Sequence, residues 1–193
     1  MKFRENVSLK DFASYKIGGP ARFFCEVKSV EELGDAIRTA RTKNLRVFIL
    51  GGGTNLLIDD GGFDGLVLRP RFASLSASGN AVTAGAGVLI SKLLEFTASR
   101  GLGGLEWAGG LPGTLGGAIR GNAGAFGGEV KDNVFSTESF DTETLEIRTR
   151  TPSECRFAYR SSVFKEQKGK EIVISAVLTL TAGNPETIRR AMR

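Results

Sequence analysis

Residues 101–128 read GLGGLEWAGGLPGTLGGAIRGNAGAFGG, and the reading of this stretch decides the rest. Twelve of its 28 residues are glycine, yet it also carries Leu105, Trp107, Leu111, Leu115, Ile119 and Phe126. Flexible Gly/Ser linkers lack large apolar residues. Glycine opens positive φ and lets the backbone approach another group closely, while the interleaved apolar residues pin the loop to a core. A rigid coil with bare amides turned outward suits a polyanionic ligand, because successive N–H groups make concave anion sites. A set of tight turns between short strands is the alternative reading.

The chain of 193 residues is enough for one large domain or two small ones. Its hydrophobic and charged fractions, 41% and 24%, are those of a globular protein. The net charge is +5, from 26 basic and 21 acidic residues, and the longest basic run is Arg189-Arg190. No basic stripe points to nucleic acid. The mild positive bias fits phosphate-bearing small molecules better. No early apolar run resembles a signal peptide, and no stretch approaches membrane-spanning length. Two cysteines, Cys25 and Cys155, make no disulfide framework, so a reducing, cytoplasmic setting is expected. Histidine is absent, which removes Ser-His-Asp and Cys-His catalysis and most catalytic zinc sites. No metal site is expected. An enzyme of this composition would leave the difficult chemistry to a cofactor.

Along the chain, residues 1–20 form an irregular lead-in whose apolar side chains dock on the body, closed by the turn Gly18-Gly19-Pro20. Alternation over 21–27 predicts a strand with Phe23, Cys25 and Val27 on one face. Ser29 and Glu32 have capping-box spacing, and Val30, Leu33, Ile37 and Ala40 follow at helical spacing up to Asn44. The unbroken apolar run 47–50, VFIL, suits a buried strand. It leads into GGGTNLL at 51–57, where consecutive backbone donors and a Thr-Asn pair make a plausible phosphate cradle. Neither the P-loop pattern nor the Rossmann pattern is present, and a plain glycine turn is the alternative.

Residues 65–69 and 81–87 are further strand candidates. Residues 89–100 read as a helix with Leu89, Leu93 and Phe96 on one side, stopped by Gly101. Strands at 134–141 and 145–151 pair around Thr142-Glu143-Thr144. EIVISAVLTL at 171–180 reads as a strand buried on both faces, and Asn184-Pro185 opens a last helix containing IRRAMR at 188–193. The element order is α+β or mixed α/β. The segment CRFAYRSSVFK at 155–165 sets three cations, a phenol and two hydroxyls among aromatics, with no carboxylate before Glu166. An arginine fork there suits a carboxylate or enolate. Solvated cations on a loop are the alternative.

Four blocks in order, SYKIGGPA at 14–21, GGGTNLL at 51–57, the run 104–128 with LPGTLGG and NAGAFGG, and FAYRSSVFK at 157–165, resemble the UDP-N-acetylenolpyruvoylglucosamine reductase family. The resemblance implies an α+β FAD-binding domain of the vanillyl-alcohol-oxidase (PCMH) type, two α+β subdomains clasping FAD. We place the subdomains at 1–78 and 79–183, with 184–193 beginning a helix that leads onward. The pyrophosphate would be held by Gly51, Gly52, Gly53, Thr54, Asn55 and Leu56 and by Gly109, Gly110, Pro112, Gly113, Thr114, Gly116 and Gly117. Asn122, Ala123 and Gly124 would lie near flavin and substrate, and Val173 would line the isoalloxazine.

The resemblance further implies FAD-dependent, NADPH-linked reduction of UDP-N-acetylglucosamine enolpyruvate to UDP-N-acetylmuramate in peptidoglycan precursor synthesis. FAD would be noncovalent, since no histidine is present for a covalent link. Arg160 matches the family's charge-stabilising arginine, with Tyr159 and Lys165 beside it in the substrate site. The partners implied are the UDP-linked sugar and NADPH, with no nucleic acid and no membrane insertion, acting on a monomer. The family's serine proton donor, in a Gly-Ser-Phe-Phe-Lys-Asn-Pro-like motif, and its second catalytic carboxylate have no counterpart here, so a fragment that binds FAD is expected. The short gap between Phe164 and Glu171 fits the shorter of two family types. A non-catalytic flavin or nucleotide-binding module of the same fold, and a noncovalent flavin oxidase, are the other readings.

Overall fold

The computed structural model describes residues 2–192. Its first sheet is built on β2 (Pro20–Val27) and β4 (Phe63–Pro70), which run parallel. β1 (Arg4–Ser8) pairs antiparallel with β2, and β3 (Val47–Ile49) pairs parallel with β4 at the opposite edge. The alternation at 21–27 does send Cys25 and Val27 into the main core, but Phe24 is buried on the other face with Ala21 and Val67. Both faces are covered because the N-terminal lead-in folds over the second one. Leu9 and Leu50 join that smaller cluster, and the Phe12 ring stacks on Phe24 at 4.7 Å.

Helix α1 (Val30–Thr42) covers the first face through Leu33, Ile37 and Ala40. Ser29 Oγ accepts the Glu32 N–H at 3.2 Å, while Glu32 Oε2 accepts from the Lys28 N–H at 2.6 Å, one residue before the usual capping-box donor. Asn44 follows the helix at φ 50°. The buried strand expected at 47–50 is corrected. β3 is an edge strand with Val47 37% exposed, and only Leu50 beyond it is fully covered. No strand pairs on its outer side, so its apolar run is half covered.

The second sheet is antiparallel throughout, in the order β11-β10-β12-β6-β5. Its members are β5 (Leu75–Ser78), β6 (Ala81–Gly85), β10 (Val134–Asp141), β11 (Ile147–Arg150) and β12 (Glu171–Thr179). β12 is central and buried on both faces, as its composition implies. β5 already belongs to this sheet, pairing with β6 across Gly79. The sheets therefore change between Pro70 and Leu75, ahead of the break placed after residue 78. One core cluster runs through both sheets. β11 begins at Ile147, two residues later than expected. Asp141 Oδ1 takes the N–H groups of Glu143 and Thr144, at 2.7 and 3.0 Å, and Leu145 sits at φ 64°, which lengthens the turn.

Helix α2 (Ile90–Ser99) packs Ile90, Leu93, Leu94 and Ala98 inward and is stopped by Gly101 at φ 65°. Leu89 is corrected from the apolar face to the N-cap position, where it is 45% exposed. Two-residue strands β7 (Leu102–Gly103) and β13 (Thr181–Ala182) pair with each other, and β8 (Gly124–Ala125) pairs with β9 (Gly128–Glu129). α3 (Leu115–Gly121), α4 (Val163–Glu166) and α5 (Pro185–Ala191) complete the fold. Asn184 Oδ1 caps α5 by accepting from Glu186 and Thr187, while Arg193 of the expected helix lies outside the described residues. Among the described residues no helix is long and apolar enough to cross a membrane.

Candidate cofactor site

The chain leaves β3 at Leu50, whose N–H bonds Leu68 O at 2.9 Å, and turns through Gly51-Gly52-Gly53-Thr54. Among the described residues no acceptor meets the N–H groups of these four. The turn lies directly on the long glycine coil. A Cβ added at Gly52 would sit 2.7 Å from Gly113 Cα, one at Gly51 would sit 3.0 Å from Thr114 Oγ1, and one at Gly113 would sit 3.0 Å from Thr54 Oγ1. Real Cβ atoms essentially never approach within 3.0 Å of a neighbour, so at Gly52 only glycine allows this contact. Gly53, at φ 67°, rests on the Phe12 carbonyl. The two glycine loops singled out in sequence thus form one structure.

The long coil is less uniform than its composition suggests. Leu105, Leu115 and Ile119 are buried, and Trp107 and Leu111 pack on the core, which explains the rigidity. Phe126 does not join them: it is 92% exposed at the tip between β8 and β9. Residues 115–121 form α3 despite three glycines. Gly116 lies so close to Ala86 that an added Cβ would stand 2.8 Å from the alanine Cβ, and its N–H bonds Ala86 O at 2.9 Å. Gly116 is therefore a packing position, which corrects its expected place in the cradle. Gly109 is corrected likewise. Its N–H bonds Glu106 O, and it abuts the Met192 carbonyl. The N–H groups of Gly110, Gly113, Thr114 and Gly117 meet no acceptor among the described residues, and Pro112 has none to offer. The Thr114 hydroxyl supplies no cap to α3. Asn55 is exposed, and Leu56 packs on the smaller cluster.

The second constellation is the turn Ala158-Tyr159-Arg160-Ser161. Ala158 and Ser161 exchange N–H to carbonyl bonds at 3.0 Å each, and Arg160 at the tip takes φ 53°. A non-glycine residue there is held against a cost of about 1–2 kcal/mol, the kind of strain found at functional sites. The surroundings hold it. Ser162, fully buried, donates through Oγ to Arg120 O at 2.7 Å, and Lys165 Nζ donates to Arg160 O at 2.7 Å. Asn122, also 0% exposed and in the left-handed region at φ 42°, donates through Nδ2 to Ala158 O at 2.9 Å and to Glu129 Oε2 at 3.0 Å. Its Oδ1 accepts the Lys131 N–H at 3.2 Å. Asn122 closes the C-terminal end of α3, so the arginine turn is tied directly to the glycine coil.

Sequence reasoning missed Glu129 and Lys131. They pair at 2.5 Å, and Lys131 and then Asn122 hold the Glu129 carboxyl below its ordinary range, with the Arg160 charge adding to the effect. Of the three cations at 155–165, Arg156 pairs with Glu166 at 3.0 Å and Lys165 caps the turn carbonyl. The Arg160 guanidinium has no ion pair among the described residues and, like Tyr159, is exposed. Three other expected residues have contacts of their own within the fold. The Asn122 side chain is spent on the latch, and its N–H bonds Ile119 O at 3.1 Å. Gly124 is required by the β8–β9 hairpin, since a Cβ would meet Glu129 Cγ and Gly128 O at 2.8 Å. Val173 lies in the main core. Ala123 bonds Ala118 O through its N–H.

These residues fit a dinucleotide pyrophosphate. Two touching loops carry eight unengaged amides, with the Thr54 and Thr114 hydroxyls at their contact, and free backbone donors of this kind suit phosphate groups. Both thiols are buried, and burial pushes that of Cys25 up to about 11, so neither offers a nucleophile for covalent attachment.

Comparison with known proteins agrees with this geometry. The FAD binding domain family matches residues 21–148. The UDP-N-acetylenolpyruvoylglucosamine reductase of Solibacter usitatus is 41% identical over 93% of this chain and 56% of its own length. That of Lachnoclostridium phytofermentans is 39% identical over 96% of this chain and 61% of its own. The chain thus spans about three fifths of the length of these curated relatives. The crystal structure of UDP-N-acetylenolpyruvylglucosamine reductase from Thermus caldophilus superposes with a TM-score of 0.82 at 33% identity, over 99% of this chain and 67% of that one. A solvent-stable cholesterol oxidase shares the fold at a TM-score of 0.69 and 19% identity. The chain belongs to the FAD binding domain family, in the branch of the UDP-N-acetylenolpyruvoylglucosamine reductases.

Proposed function

We propose that this chain is the FAD-holding part of a reductase that converts UDP-N-acetylglucosamine enolpyruvate to UDP-N-acetylmuramate at the expense of NADPH. The observation that carries the reading is the close contact between Gly51-Gly52 and Gly113-Thr114, which brings two loops with unengaged amides together. The amides of Gly51, Gly52, Gly53, Thr54, Gly110, Gly113, Thr114 and Gly117 would hold the pyrophosphate of FAD noncovalently. Bound FAD supplies the two-electron chemistry between the nicotinamide and the enolpyruvyl double bond. Arg160, tied to the same coil through Asn122, would stabilise the negative charge that develops on the substrate. Its unpaired guanidinium and held backbone support that role, and Tyr159 and Lys165 flank it. The reading places the protein in the cytoplasm as a monomer, in two FAD-clasping units that follow the two sheets.

The test is anaerobic. The FAD-loaded chain is mixed with NADPH and then with the enolpyruvyl UDP-sugar. Bleaching of the flavin by NADPH is expected of this part, and return of colour on adding the sugar is expected of the whole reductase that contains it. Colour that survives NADPH would instead make this a binding module without redox function. In the whole reductase Arg160→Ala should leave bleaching intact and slow the return of colour by roughly a hundredfold. Return within a few fold of the wild-type rate would remove Arg160 from the mechanism.

A further inference from the structure

We propose that Asn122 is a positioning residue that sets the Tyr159–Arg160 turn against the glycine coil, so that the cradle and the arginine are held in one fixed relation. The proposal rests on the reading of Arg160 as the charge-stabilising group. Its geometry stands on four observations. Asn122 is fully enclosed, yet it is an amide in the left-handed region with all of its hydrogen-bonding groups engaged. One amide hydrogen reaches Ala158 O, the carbonyl that also closes the Arg160 turn through the Ser161 N–H. The other reaches Glu129, fixed in turn by Lys131 and by a capping box in which the Glu129 N–H donates to Asp132 Oδ2 at 2.8 Å. Finally, Asn122 and Thr114 terminate the same seven-residue helix. α3 is therefore a strut about 10 Å long with the cradle at one end and the arginine latch at the other. Ser162 Oγ donating to Arg120 O is a second tie on the same end of the strut.

A bond from a buried amide to a turn carbonyl restrains more than it stabilises. The turn would still close through its own Ala158–Ser161 pair without Asn122, but its hydrogen bonding to α3 would rest on Ser162. Asn122→Gly keeps a residue suited to positive φ and removes the latch. Asn122→Asp keeps the shape and the acceptor for Lys131 N–H, but has no donor for Ala158 O and sets a second carboxylate beside Glu129.

Two measurements, one on the FAD-loaded chain and one on the whole reductase that contains it, test this. Hydrogen exchange of the peptide covering Ala158 to Ser161 should speed up by about tenfold in both variants, with β12 unchanged. In the whole reductase, the rate at which the enolpyruvyl UDP-sugar restores flavin colour should fall by about tenfold in Asn122→Gly. It should not fall further when that change is added to Arg160→Ala, because a residue that acts through Arg160 has nothing to position once the guanidinium is gone. Unchanged exchange in the turn, or losses that multiply in the double variant, would overturn the proposal. Failure of the FAD-loaded wild-type chain to be bleached by NADPH would sink the functional reading on its own, and the exchange result would then decide the latch.

Discussion

Gly52→Ala is the substitution that most directly separates the cofactor site from the fold. The added Cβ would lie 2.7 Å from Gly113 Cα, 3.2 Å from Gly113 C and 3.4 Å from Thr114 N. All three are backbone atoms, so no side chain can swing away. Ordinary contact begins at 3.4 Å, and the two loops must part by about 0.7 Å to reach it. Binding constellations work within about 0.5 Å of their productive geometry, so amides on one loop lose the shared anion. A hydrogen bond to a charged group is worth about 1.5–3 kcal/mol. Loss of one such contact weakens FAD binding roughly 10- to 100-fold. Equilibrium dialysis against FAD measures this, with thermal unfolding of the apoprotein as the check on the fold. Gly79→Ala is the matched control. It has φ 55° and nothing within 4 Å of the added atom, so it should cost about 1–2 kcal/mol of stability and leave FAD affinity alone. Unchanged FAD affinity in Gly52→Ala would refute the claim that these loops share one anion.

The ion pair inside the second sheet sets an acid limit on stability. Arg150 Nε donates to Glu171 Oε2 at 2.8 Å, Ser139 Oγ donates to the same oxygen at 2.8 Å, and Glu171 is buried. Arg150 above all holds the Glu171 carboxyl below its ordinary range, against burial, which acts the other way. A depressed carboxyl contributes stability that is full above the unfolded value of about 4.3 and is lost as pH falls through the lower folded value. Denaturant midpoints should therefore drop on acidification below about pH 4.3. Glu171→Gln should cost about 3 kcal/mol at neutral pH and flatten that drop, and a variant as stable as wild type would contradict the assignment. Burial chiefly, then Glu32 and Glu26, push the Cys25 thiol up to about 11. Native protein should resist a thiol reagent at mildly alkaline pH and react fully once denatured, whereas fast native labelling of Cys25 would show that α1 lifts from its sheet.

The parts legible in sequence are those whose signal is local. The α1 cap needs only Ser29 and Glu32 three residues apart, and β12 announces its burial through seven apolar residues in ten. The two glycine loops stand out as rigid coils because glycine is interleaved with pinned apolar residues, and the structure brings them into contact. What escaped depends on partners far along the chain. VFIL at 47–50 looks like a central strand, and only the sheet order makes β3 an edge. LGGAIRG is a poor helix by intrinsic preference, and it forms because Gly116 can lie against Ala86 and Ile119 is buried. Phe126 was grouped with the pinning residues, yet its positive φ at a hairpin tip turns it outward. The latch from Asn122 to Ala158 spans 36 residues, and the pair Arg150 to Glu171 spans 21. Nothing in either neighbourhood marks the partner. For the same reason the glycines of the cradle could not be sorted in advance. Gly109 and Gly116 differ from Gly110 and Gly113 only in what the fold sets against them.

The central claim is that one chain folds a single pyrophosphate cradle from two separated glycine loops. Its most direct measurement is the stoichiometry and affinity of FAD on the purified chain, stripped of flavin and then titrated. The account predicts one FAD per chain, bound noncovalently and released on denaturation, with binding weakened by Gly52→Ala and not by Gly79→Ala. A folded chain that takes up no FAD, or one in which the two substitutions act alike, would contradict it.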